Sequence, residues 1–116
     1  MIAPPDKNYP YLQVLLIPSG IGSVIYYAAP GRPEGLDIKS VAGKAFIDIK
    51  DKFWSGEIAI PKNLLRNIVK DNRARFAVIR TRNMSDKSLE RQCSGLFPGR
   101  GNAHNISLYR PLLLQK

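Results

Sequence analysis

The side chains best suited to chemistry here are cations with aromatics set among them. Lys44, Lys50, Lys52, Lys62, Arg66, Lys70, Arg73, Arg75, Arg80 and Arg82 fall between positions 44 and 82, interleaved with Phe46, Phe53, Trp54 and Phe76. Ammonium and guanidinium groups neutralise phosphates and release their counterions, and aromatic rings offer faces on which bases stack. From Lys62 to Arg82 seven basic residues stand against one acid, Asp71. Arg100 joins them from a glycine-rich loop, in a Pro-Gly-Arg string that also occurs at Pro30 to Arg32. An arginine at such a tip can reach a phosphate or stack on a base.

Catalytic constellations are missing. Acyl or phosphoryl chemistry needs a nucleophile beside a base, paired carboxylates or a metal cluster. Cys93 is the only cysteine, His104 the only histidine, and the nine acids are scattered singly. A Cys93–His104 thiolate pair is the one nucleophilic arrangement open to the chain. One cysteine excludes an internal disulfide and, with one histidine, argues against a four-ligand zinc site. Ser19-Gly20-Ile21-Gly22-Ser23 has glycines but joins two expected strands with no helix after it, so it reads as a turn and not a phosphate loop. No enzyme activity, cofactor or small-molecule substrate is expected.

The 116 residues make one expected domain, 1–116, with 44% hydrophobic and 23% charged residues and a formal net charge of +9. That excess favours an anionic partner. No stretch approaches the roughly 18 apolar residues of a membrane span. Residues 1–11 hold three prolines and lack the order of a secretory signal. No membrane partner is expected, and the setting reads as intracellular, cytoplasmic or nucleoid-associated, and not secreted.

Several elements must position these residues. Residues 1–10 read as a mobile lead-in. Strands are expected over 11–17 and 21–29, joined by Pro18-Ser19-Gly20 as a hairpin. Residues 30–35 read as a loop and 36–41 as a short strand. Residues 44–50 and 53–60 form a second antiparallel hairpin, bulged at Gly56. Lys44, Phe46, Asp48 and Lys50 share one of its faces, and adjacent Phe53 and Trp54 point oppositely. Pro61 opens a short helix over about 61–70, with Leu64, Leu65, Ile68 and Val69 on its core side and Lys62, Arg66 and Lys70 on another. A strand follows over 76–82, then one or two helical turns over 83–92 and a flexible loop over 94–105. A last strand over 106–114 is interrupted by Pro111, which suits a sheet edge, a natural place for self-association. The expected fold is α+β and mostly β: an antiparallel sheet or partly open barrel of five to seven strands with one short helix.

Gly43-Lys44-Ala45-Phe46-Ile47-Asp48-Ile49-Lys50-Asp51, with Phe53, a glycine-bearing strand and a helix behind it, resembles the strand-strand-helix segment of transcriptional coactivators of the positive cofactor four type. The resemblance covers about 36–70. It implies a dimer that binds single-stranded DNA across a curved antiparallel sheet, with Lys44 and Lys50 meeting the backbone. Gly56-Glu57-Ile58-Ala59-Ile60-Pro61-Lys62 with Leu65-Arg66 is similar to a competing signature, that of swapped-hairpin transition-state regulators and antitoxins. That likeness, over 56–66, implies an intertwined dimer on duplex DNA.

The sequence thus points to a non-enzymatic nucleic-acid-binding protein, single-stranded DNA or RNA favoured, working as a homodimer or higher oligomer. Its expected contacts are Lys44, Phe46, Lys50, Lys52, Trp54, Lys62, Arg66, Lys70, Arg73, Arg75, Arg80, Arg82 and Arg100. Two alternatives stay open: a dimeric duplex-DNA-binding transcriptional regulator, and a structural or protein-interaction module such as a small viral assembly protein.

Overall fold

A computed structural model describes residues 1–83, 91–95 and 104–115, giving the backbone alone for 81–83 and 91–95. Its strands in chain order are β1 (Ile2–Ala3), β2 (Tyr11–Ile17), β3 (Gly20–Ala29), β4 (Arg32–Leu36), β5 (Ala42–Asp48), β6 (Phe53–Ala59), β7 (Arg73–Phe76), β8 (Ile79–Asn83), β9 (Arg91–Gly95) and β10 (Arg110–Leu113). The α-helix α1 (Lys62–Leu65) lies between β6 and β7. Six strands form one open antiparallel sheet in the order β10-β7-β1-β2-β3-β4. The pairs β5-β6 and β8-β9 are separate antiparallel hairpins. The mostly β, antiparallel class expected from the sequence holds, and the sheet is open and not a barrel.

The β2-β3 hairpin forms as its aliphatic and β-branched residues require, turning at Pro18-Ser19, with Gly20 at φ 123° where a side chain would be strained. Its register shifts between Leu15 and Leu16. The expected loop over 30–35 is instead the edge strand β4, where Pro33 lacks only a hydrogen bond that an edge can forgo. The strand expected over 36–41 is a 3-10 turn, Ile38–Ser40, because the Asp37 carboxylate accepts from the Lys39 amide (2.9 Å) and turns the chain.

The start of the chain departs most from expectation. Residues 1–10 are no mobile lead-in: Ile2–Ala3 slots between β2 and β7, with Ile2 opposite both Leu12 and Phe76. The three prolines at 4, 5 and 10 forbid a long strand, yet the two residues ahead of them keep their donors and can pair. Met1 extends the match, its amine donating to Ala77 O (2.9 Å) and its carbonyl accepting from the Ala77 amide (3.0 Å). That pairing also splits the strand expected over 76–82. Ala77 completes the ladder to the N-terminal segment, and Ile79 onward leaves to pair with β9.

Alternation puts a different core on each sheet face. One holds Ala3, Tyr11, Ala77, Ile106 and Tyr109, and the other Leu12, Val24, Val41 and Ile68. The apolar side expected of α1 covers the second, through Leu64 and Leu65. The helix is shorter than expected. Pro61 is its N-cap without a side-chain cap bond, and the turn of residues 66–68 leads Lys70 into a bridge with Arg73. Asp71 and Asn72 sit between them at φ 50° and 58°, the left-handed pair that a two-residue reversal demands.

The β5-β6 hairpin has an unbroken register, with Ala45 opposite Gly56, so the bulge expected at Gly56 is absent. Glycine is needed there for close approach. A Cβ on Gly56 would overlap Leu16 Cδ2, and one on Gly43 would overlap Ile21 Cδ1. The hairpin thereby lays its glycine-bearing face on the ends of β2 and β3. At the far edge of the main sheet β10 carries Pro111 in the edge position expected, but the strand runs through it as Arg110–Leu113, and Ile106–Leu108, expected as strand, is a 3-10 turn. The helical turns expected over 83–92 and the loop expected over 94–105 fall mainly outside the described residues; Arg91 to Gly95 are strand β9.

Two measurements follow from this packing. Ile68→Ala should lower stability by about 2–4 kcal/mol, because Ile68 is 1% exposed beneath the sheet, read as a shift in urea midpoint. Burial pushes the Met1 amine down to about 6 from 8.0, so between those values the unfolded chain holds more protons and stability should rise with pH. At about 1.4 kcal/mol per unit the rise is up to about 3 kcal/mol. A chain acetylated at Met1 should lose that slope.

Candidate functional site

An open groove of about 580 Å³ lies where three elements meet: residues 4–10, strand β3, and the turn that follows α1. Its walls include Asp6, Lys7, Tyr26, Arg66, Asn67 and Lys70, with Ile68 and Val69 along the base. Each wall has a local cause. The placement of β1 brings Asp6 and Lys7 across the sheet. Alternation in β3 turns Tyr26 to the face of Leu12, its partner in the ladder. Helical spacing sends Arg66 away from Leu64 and Leu65, and the Asp71-Asn72 reversal holds Lys70 at the rim.

The charges do not cancel. Lys70 Nζ meets Asp6 Oδ2 at 3.1 Å, and this bond holds the Asp6 carboxyl below the usual carboxylate range. Lys7 and Arg66 have no carboxylate partner among the described residues. Three cations thus face one acid that is already paired. A half-buried tyrosine beside unpaired cations can hold a phosphate and lie against a planar group.

The thirteen residues singled out in the sequence do not converge on one track. Arg66 and Lys70 reach the groove, and Lys62 is exposed on α1 one turn before Arg66. Lys44 is on the outer face of the β5-β6 hairpin, 3.8 Å from Glu57 Oε2. Phe46 shares that face, its ring centroid 6.1 Å from that of Phe53. Lys50 and Lys52 lie in the hairpin turn, which the Asp48 carboxylate closes by accepting from the Asp51 amide (2.9 Å). Trp54 is on the opposite face from Phe46, against Gly56 and Ile58 beside Leu16, so the two do not form one stacking platform. Arg73 is exposed in β7, opposite Leu113, and Arg80 is exposed in β8. Arg82 is placed by its backbone in β8, and Arg100 lies outside the described residues.

Arg75 is the clear correction. Its guanidinium is turned into the fold, donating to Pro4 O (2.8 Å), Lys7 O (2.6 Å), Ile106 O (3.3 Å) and Asn8 Oδ1 (3.4 Å). These donors satisfy carbonyls of a proline-bearing segment that no strand partner reaches. Arg75 therefore shapes the groove by holding one of its walls, and is not available to a phosphate.

Lys7 and Tyr26 carry no warning in the sequence, since a two-residue strand leaves no periodicity from which to place residues 4–10. The same holds for an aromatic cluster on the other sheet face. Tyr11 stacks on Tyr27 (4.4 Å, 8°), with Tyr9 and His104 beside them, and Tyr11 Oη lies 2.7 Å from His104 Nδ1. Burial pushes the Tyr11 hydroxyl up to about 12 and raises that of Tyr109 as well. His104, the one histidine that a Cys93 thiolate pair could use, is bonded to Tyr11, and Cys93 sits in β9 opposite Thr81.

Among the described residues no group of three or more His, Cys, Asp or Glu could hold a metal ion, and no helix is long and apolar enough to cross a membrane. No protein-family model, curated protein or solved structure matches the chain.

Arg75→Met keeps the length of the side chain and removes every donor. It should cost about 1–3 kcal/mol in chemical denaturation by removing the bonds to the part-buried carbonyls of Pro4 and Ile106, and should speed amide exchange at Ile2 and Ala3.

Proposed function

We propose that this chain binds single-stranded nucleic acid without catalysis, seating backbone phosphates in the groove of Lys7, Arg66 and Lys70. The observation that carries the proposal is the meeting of cations from positions 7, 66 and 70 around one 580 Å³ opening whose single acid is already paired. Phosphates gain from such a site by exchanging condensed counterions for fixed cations. The volume suits a nucleotide unit, within the range of ordinary ligand sites. Tyr26 supplies an aromatic wall, and Lys62 continues the positive surface along α1.

A single strand is favoured over a duplex by shape. The helix beside the groove has four residues, too few to lie along a major groove, and an unpaired strand can bend a phosphate into a concave site. An intracellular setting, where such strands and a reduced Cys93 occur together, goes with this proposal.

Fluorescence anisotropy with a labelled twelve-nucleotide strand, at 50 and 200 mM salt, tests it. Two phosphate contacts, from the unpaired Lys7 and Arg66, should weaken binding about sevenfold across that interval. Arg66→Ala should cost several-fold in affinity and lower the salt slope by roughly one, with Lys7→Ala alike and Lys44→Ala without effect. Salt-independent or undetectable binding would overturn the proposal. A palindromic duplex that displaces the single strand would instead favour a transcriptional regulator, and a defined oligomer with no affinity for either would favour a structural module.

A further inference from the structure

The second exposed feature of the molecule is the β5-β6 hairpin, and its chemistry differs from that of the groove. Among the described residues β6 is hydrogen-bonded on one side only, to β5, and its other edge is open. All of its residues, Phe53 to Ala59, are exposed, Phe53 by 49% and Trp54 by 43%. Natural edge strands block unwanted pairing with lysine, proline or a bulge. The β6 sequence Phe-Trp-Ser-Gly-Glu-Ile-Ala contains neither lysine nor proline, and its register is unbroken.

Charge identifies the partner. The +9 of the chain arises entirely after residue 59, so two copies repel each other where that part of the chain meets its counterpart. Residues 42–59 are neutral in sum, with Lys44, Lys50 and Lys52 balanced by Asp48, Asp51 and Glu57, as are residues 1–41, whose open edge strand β4 is guarded by Pro33. A polyanion gains nothing from such a balanced face, whereas a second copy meets both signs there. The strand is also self-complementary. Paired antiparallel with itself about Gly56, it places Trp54 against Ile58, Ser55 against Glu57 and Phe53 against Ala59, and each pair falls on one face of the hairpin. Gly56, with no side chain, occupies the axis.

We propose that β6 is a self-association edge through which two copies join antiparallel about Gly56, fusing their hairpins into one four-stranded sheet β5-β6-β6-β5. The contact is isologous, so it closes at two copies and leaves both basic grooves free.

Trp54 is the only tryptophan, so its emission reports the contact directly. Light scattering after size exclusion should show a dimer in the micromolar range, and dilution should shift Trp54 emission to the red as Ile58 of the other copy leaves it. Ser55→Glu sets like charges against Glu57 of the other copy twice per dimer and should raise the dissociation constant about tenfold, while Ser55→Lys should lower it. In a Glu57→Gln background the two Ser55 variants should become equal. A monomer at every concentration up to about 1 mM, or a dimer that responds alike to Ser55→Glu and Ser55→Lys, would overturn the proposal. Because wild-type mass and emission are read first, it stays falsifiable even where a variant fails to fold.

Discussion

The structure depends on a two-residue strand in the middle of its sheet. Ile2 and Ala3 bridge β2 and β7, and without them the β2-β3-β4 meander and the β7-β10 pair would be separate two- and three-stranded pieces. Such fragments are marginal alone, because they bury too little apolar surface to offset the entropy of ordering them. So short an insertion cannot hold itself. Its stability comes from the Met1–Ala77 ladder at one end and the Arg75 guanidinium at the other, which collects the carbonyls of Pro4 and Lys7. Arginine suits that task because its planar fork carries several donors in fixed directions.

The same constraint creates the groove. Once Ala3 is fixed in the sheet, residues 4–10 must cross its face, and Lys7 arrives opposite a turn that displays Arg66 and Lys70. Positive charge is concentrated there while the β5-β6 hairpin remains neutral in sum. Two surfaces of different character thus come from one chain: a concave cationic one on the aliphatic side of the sheet, and a projecting amphipathic one beyond the β2-β3 tip.

How far the sequence reveals this follows from the range of each determinant. Alternation and turn residues are local, so both hairpins, the apolar side of α1 and the edge position of Pro111 could be read directly. The opposition of Phe53 and Trp54 followed from strand geometry in the same way. Gly56 was misread because a glycine within a strand signals either a bulge or a close neighbour, and only the fold supplies Leu16. The role of Arg75 was hidden for a similar reason. A cation two residues from another cation looks like part of a charged face until the carbonyls that claim it are known. Lys7 stood beyond reach altogether, since its position depends on pairing between residues some seventy positions apart.

That separation bears on how the molecule is made. The meander of β2, β3 and β4 rests on neighbours in sequence and can assemble as soon as its residues are available. The central slot stays open until Arg73–Phe76 has been synthesised, because one wall of it is β7. Nascent chains therefore pass through an interval in which β1 can pair with β2 but has no partner on its other side. Cotranslational holding by a chaperone, or slow elongation before residue 73, would act on that interval and on no later one.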